Sequence, residues 1–115
     1  MLSEKNREIA YGQRRYEIFW ATQYADHIRE NFTHPAHRIS FREISELLGA
    51  TRVIVPQKRG KHRNYFVFLG IFNEVVYETY VTLLAGRGAL AGRAIVHTSY
   101  RSNKPAYINE VRATL

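Results

Sequence analysis

Three of the five histidines fall in one short stretch, "HIRENFTHPAHR", at His27, His34 and His37. Imidazole can bind a metal, shuttle a proton or contact phosphate, so the neighbours must discriminate. His34 and His37 have H-x2-H spacing, but Arg29 and Arg38 flank them with charge that repels a cation. No cysteine or adjacent carboxylate completes a tetrahedral shell. The expectation is no metal and no cofactor. A second constellation ends the last apolar run, where "VHTSYR" sets His97, Thr98, Ser99, Tyr100 and Arg101 in succession. Strict strand alternation puts His97, Ser99 and Arg101 on one face, and Val96, Thr98 and Tyr100 on the other. A third is "QKRGKHR", with Lys58, Arg59, Lys61, His62 and Arg63, followed at once by Tyr65. Cations interleaved with aromatics suit phosphate contact plus base stacking. The loop "GRGALAG" lacks the Lys-Ser/Thr of a phosphate-binding P-loop and joins two strands, so it reads as a connection.

The whole chain supports the polyanion reading. Seventeen Lys and Arg against ten Asp and Glu give a net charge of +7 in 115 residues. That balance favours nucleic acid over an anionic membrane surface. With 45% hydrophobic residues and no cysteine, a globular domain without disulfides is expected, in keeping with the reducing cytoplasm. No apolar run has the length of a signal or membrane segment.

The elements that must position these residues are read from periodicity. Residues 3–32 read as helix, with Ser3 as a cap and Gly12 dividing a short arm, 1–12, from a longer helix. Tyr16, Trp20, Tyr24 and Ile28 recur at i+4 and place His27 at the edge of the buried stripe. After Pro35, Ser40 and Glu43 form a capping box, Ile39 and Ile44 a hydrophobic staple, and Gly49 ends a second helix. Four β-branched and aromatic runs follow over 51–101, joined by short connections, and residues 102–115 form a tail. The expected fold is a single α+β domain, its N-terminal helices (13–49) packed on one face of a four-stranded, mainly antiparallel meander.

The order "DHIRENFTHPAHRISFREISELL", a basic hairpin and a terminal "IVHTSYRSNKPAYI" resembles small bacterial and phage toxin domains of the barnase–EndoU–colicin–RelE type. It most resembles the phage-associated and BrnT-like branches. The residues that carry this are His27 on the first helix and Ile39, Ser40, Glu43 and Ile44 in an I-S-x-x-E-I pattern. Thr98, Tyr100, Ser102 and Lys104 match a terminal T-x-Y-P-S-x-K-like element, with Arg101 where proline is usual. The resemblance implies a RelE- or barnase-like sheet and metal-independent RNA cleavage by the substrate's own 2′-hydroxyl. On that expectation the catalytic set is drawn from His27, Arg63, His97, Thr98, Tyr100 and Lys104. Either histidine is base or acid, Arg63, Arg101 or Lys104 stabilises the phosphate, and Thr98 and Tyr100 donate hydrogen bonds. Arg29, His37, Arg38, Lys58, Arg59, Lys61, His62 and Arg101 would line the nucleic-acid groove. RNA is the expected partner, with an acidic antitoxin or immunity protein as a second. The alternative is a non-catalytic nucleic-acid-binding module or a toxin–antitoxin component that acts by binding an acidic partner or an operator.

Overall fold

A computed structural model describes residues 8–30, 39–59, 62–84 and 91–115, without the side chains of Glu30, Lys58, Arg59, His62 and Arg63. The chain runs β1 (Glu8–Tyr11), β2 (Arg14–Phe19), α1 (Thr22–Glu30), α2 (Phe41–Gly49), β3 (Val53–Arg59), β4 (His62–Phe72), β5 (Val75–Leu84), β6 (Arg93–Arg101) and α3 (Pro105–Arg112). One six-stranded sheet has the order β1-β2-β6-β5-β4-β3. The β3–β6 part is an antiparallel meander, and β1–β2 is an antiparallel hairpin. The two halves join through a parallel pairing of β2 with β6, Glu17–Phe19 against Arg93–Ile95. Among the described residues the architecture is therefore a mixed, curled half-barrel with three helices, and the expected fold of N-terminal helices on a four-stranded sheet is corrected.

The first correction lies in the N-terminal segment, expected as helix. Residues spaced by four share a face in a helix, but they also share a face in a strand, because four is a multiple of two. Tyr16 and Ile18 are buried while Arg15 and Glu17 are exposed, which is strand alternation. Gly12, at φ 64°, makes the turn that folds β1 back on β2. Only the last part of the expected helix is helical. There α1 buries Ala25 and Ile28. The second correction is the tail. Pro105 takes the first turn of α3, where its missing N–H is no loss, and Val111 is fully buried.

Curling gives the sheet two different faces. Tyr11 of β1 meets Phe66 of β4, ring centroids 4.6 Å apart, although three strands separate them in the sheet. That contact crosses the concave side, where Ile9, Tyr16, Ile18, Phe66, Phe68, Val81, Leu83, Ala94 and Val96 pack with α1 and α2. The convex side is a smaller core of Val67, Leu69, Val76 and Tyr80 under Val111, Tyr107 and Ile108 of α3. α2 begins with the capping box read from the sequence: Glu43 N donates to Ser40 Oγ at 3.2 Å, and Ser40 N to Glu43 Oε1 at 3.0 Å. Asn73 and Glu74 both take positive φ, 49° and 65°, closing the tight β4–β5 hairpin with the twist that such turns require.

The backbone of α2 comes close to the sheet at Gly70 of β4. A Cβ there would lie 3.0 Å from Leu47 O and 3.2 Å from Leu47 Cδ2, so even a methyl group at this site would press on α2. Gly70→Ala must push α2 outward, and is expected to lower stability by about 1–3 kcal/mol, the usual scale for overpacking. Urea unfolding of the two proteins, with unchanged slope and a lower midpoint for the variant, checks this.

Candidate functional site

β6 is paired along its first residues by β2 and along its length by β5. The register with β2 ends at Phe19↔Ile95, and the chain then turns through Trp20 and Ala21 into α1. α1 thus takes over beside β6 where β2 leaves it. Gln23, Tyr24 and His27 from the helix and His97 and Thr98 from the strand line one open cleft of about 390 Å³.

A bulge decides which β6 side chains face that cleft. Tyr80 pairs with Thr98 and Val81 with Val96, so His97 is an extra residue with no opposite number on β5. The insertion resets the alternation. Val96, in the concave core, shares its face with Ser99, whose hydroxyl meets Thr79 Oγ1 at 2.9 Å. His97, Thr98 and Tyr100 lie together on the other face. Strict alternation had placed His97 apart from Thr98 and Tyr100, and the bulge corrects it. Arg101 lies opposite Tyr77, whose side chain packs in the concave core, so it stands on the sheet face away from Thr98 and Tyr100.

His97 is held on three sides. Its Nε2 is 2.7 Å from Thr82 Oγ1 on β5. The Tyr24 ring lies against the imidazole at 4.1 Å between centroids, and Tyr65 of β4 meets it edge-on at 5.1 Å. His27 differs in kind. The sequence places it at the edge of a buried stripe, but the buried positions of α1 are Ala25 and Ile28, and His27 is exposed on the cleft wall.

The tyrosine row continues along the convex face and leads to a second polar cluster. Tyr65 stacks on Tyr80 at 5.8 Å, and Tyr80 on Tyr100 at 5.7 Å. Tyr80 O–H donates to Oε1 of Glu78 at 2.6 Å, and Lys104 Nζ lies 3.5 Å from the same oxygen and 3.5 Å from Tyr80 Oη. Glu78 is fully buried, and its Oε2 is the one buried side-chain oxygen without a hydrogen-bond partner among the described residues. Lys104 therefore balances a buried carboxylate and sits over the Tyr107 ring at 5.0 Å. A buried carboxylate requires such a partner.

The expected site residues are thus divided. His27, His97 and Thr98 share the cleft, whereas Tyr100 and Lys104 belong to the Glu78–Tyr80 cluster further along the face. Arg29 turns away from the cleft, 2.7 Å from Asp26 and over the Phe41 ring at 5.3 Å. It lines a separate hollow between α1 and the start of α2, with Trp20 and Arg42. His34, His37, Arg38, Lys61 and most of "GRGALAG" lie outside the described residues. Lys58, Arg59, His62 and Arg63 are placed by backbone alone, on the β3–β4 hairpin that leads into Tyr65. The sequence reading missed Tyr24 as a cleft residue, Thr82 as the partner of His97 and Glu78 as a buried charge. A visible signal existed for Glu78, a lone carboxylate inside the apolar run "VVYETYVTLL".

Comparison of the chain with protein families, with characterised proteins and with solved structures finds no match. Among the described residues no helix is long and apolar enough to cross a membrane.

Burial, then the bond to Glu78 and the neighbouring Tyr100, raises the Tyr80 phenol far above its ordinary value. Its folded pKa exceeds its unfolded value of about 10. The unfolded chain therefore loses this proton first as pH rises, and the stability it contributes is present below about pH 10 and falls above it. The expected slope for this one group is about 1.4 kcal/mol per pH unit. Unfolding midpoints between about pH 8 and 12 should show that fall, and Tyr80→Phe should make it shallower by that amount at a lower starting stability.

Proposed function

We propose that this protein is a small basic endoribonuclease of toxin type, cutting RNA at the cleft between α1 and β6. The observation that carries the reading is the meeting of His27 and His97, 70 positions apart in the sequence, on one cleft with the Thr98 hydroxyl. RNA transesterification needs a base for the 2′-hydroxyl proton and an acid for the departing 5′-oxygen. Two imidazoles supply both near neutral pH without a metal. One removes the proton as the 2′-oxygen bonds to phosphorus. The other protonates the 5′-oxygen as its bond to phosphorus breaks, leaving a 2′,3′-cyclic phosphate. Thr98 donates to a non-bridging phosphate oxygen. The net charge of +7 and the basic β3–β4 hairpin draw the polyanion in. The same surface suits an acidic inhibitor, and the lack of cysteine suits the reducing cytoplasm.

A second reading has its own support. Among the described residues lining the cleft there is no Lys or Arg, and Lys104 is committed to Glu78. Such a cleft also fits a module that binds RNA without cutting it.

End-labelled RNA incubated with purified protein separates the two. The proposal expects cleavage that persists in EDTA and yields cyclic-phosphate ends. His27→Ala is expected to lower kcat/KM by roughly 10²–10⁴-fold, the share of a general acid or base. Because the imidazole is exposed, the same change should alter stability by no more than about 0.5 kcal/mol. RNA bound but intact at every pH gives the binding module, and RNA neither bound nor cut sinks both readings. Neutralising Lys58, Arg59 and Lys61 together should flatten the slope of log affinity against log salt by roughly two to three units. An unchanged slope moves the phosphate-binding surface off the hairpin.

A further inference from the structure

The local fold treats the two cleft histidines unequally. His27 stands exposed on a helix surface, while His97 is the inserted residue of a bulge, gripped by two tyrosine rings and a hydroxyl. A bulge interrupts the ladder in the interior of the sheet, between β5 and the strand that pairs with β2. What the interruption produces is Thr98 on the cleft face beside His97, instead of behind Val96 in the concave core.

The imidazole is then fixed in rotation by a separate contact. The rings of Tyr24 and Tyr65 restrict its tilt, but they leave a half-turn about the Cβ–Cγ bond open, because a π face does not distinguish the ring nitrogens. The 2.7 Å approach of Nε2 to Thr82 Oγ1 does distinguish them. Only a nitrogen bonds the hydroxyl, so a flipped ring, which presents carbon there, loses the bond.

We propose that Thr82 is a positioning residue for His97, setting its ring orientation for proton transfer in the cleft. The proposal rests on His27 and His97 being the acid–base pair. It divides their labour: His97 is the preset member, and His27 meets the substrate from the exposed helix wall. Thr82 itself pairs with Ile95 and Tyr65 in the sheet and is absent from the cleft lining, so it acts through His97.

The experiment uses the full chain, ¹⁵N-labelled, as wild type and as Thr82→Val, Thr82→Ala and Thr82→Ser. Valine keeps the β-branched shape and deletes the hydroxyl, alanine guards against a misfolded valine variant, and serine restores the hydroxyl. Nuclear Overhauser contacts of the His97 ring protons, without RNA, should show one ring orientation in wild type and Thr82→Ser. In Thr82→Val and Thr82→Ala it should become a mixture. RNA cleavage should fall roughly ten- to a hundredfold in kcat in those two variants, as losing a ring-orienting partner does at other histidine sites. KM should stay within about twofold and serine should recover the rate, since a preset ring contributes after binding. An unchanged His97 ring orientation in the valine and alanine variants overturns the proposal, and so does a loss of rate that serine fails to restore. If wild type cuts no RNA, the acid–base reading fails on its own, and the spectra still decide whether Thr82 sets the ring.

Discussion

A parallel pairing of only three residues, Glu17–Phe19 against Arg93–Ile95, organises the rest of this molecule. It fastens the N-terminal hairpin to the last strand and turns a four-stranded meander into a six-stranded sheet. The enlarged sheet curls until Tyr11 reaches Phe66, and the apolar faces of α1 and α2 then have a concave surface to fill. The pairing also stops early. Beyond Ile95 the place beside β6 passes to α1, and that exchange of strand for helix is what brings His27 and Tyr24 to His97 and Thr98. A longer β2–β6 ladder would fill the cleft with strand, and a shorter one would leave the hairpin unattached.

The convex face depends on a different balance. Glu78 is a full charge in the interior of β5, and desolvation of a carboxylate is expensive unless a cation and hydrogen bonds answer it. Lys104 and Tyr80 answer it at one oxygen. Lys104 is also the residue that leads into α3, so the ion pair fixes where that helix starts and where Val111 enters the convex core. The Lys104 ammonium is half exposed, and solvent screens its side of the pair. It therefore acts mainly to permit the burial of Glu78 under α3. The same engagement removes Lys104 from the histidine cleft, which is why residues that look like one terminal motif in the sequence serve two places in the fold.

Much of this was legible beforehand where a local signal had one interpretation. The capping box at Ser40 and Glu43 satisfies orphan N–H groups of a helix start and of nothing else nearby, and α2 begins there. The runs after Gly49 are β-branched, aromatic and bounded by turn residues, and β3 to β6 occupy them. Signals with two interpretations failed. Tyr16, Trp20 and Tyr24 at spacing four satisfy helix and strand alike, and packing against Phe66 and β6 chose strand for the first part. The bulge at His97 left no mark on the sequence, because an inserted residue is defined only by the partner strand it fails to match.

The sequence by itself determined the inventory: a cysteine-free basic chain, two histidine-bearing segments far apart, a cationic hairpin followed by an aromatic, and a capped second helix. These follow from composition and from interactions within a few residues, which need no knowledge of the fold. The tertiary structure decided which residues meet. It joined His27 to His97 and Thr98, sent Tyr100 and Lys104 to Glu78, turned Arg29 to another hollow and placed Arg101 on the opposite sheet face. Those outcomes depend on the register of β5 against β6 and on the length of the β2–β6 ladder. Both are set by long-range packing, and a one-residue change of register moves every side chain beyond it to the other face.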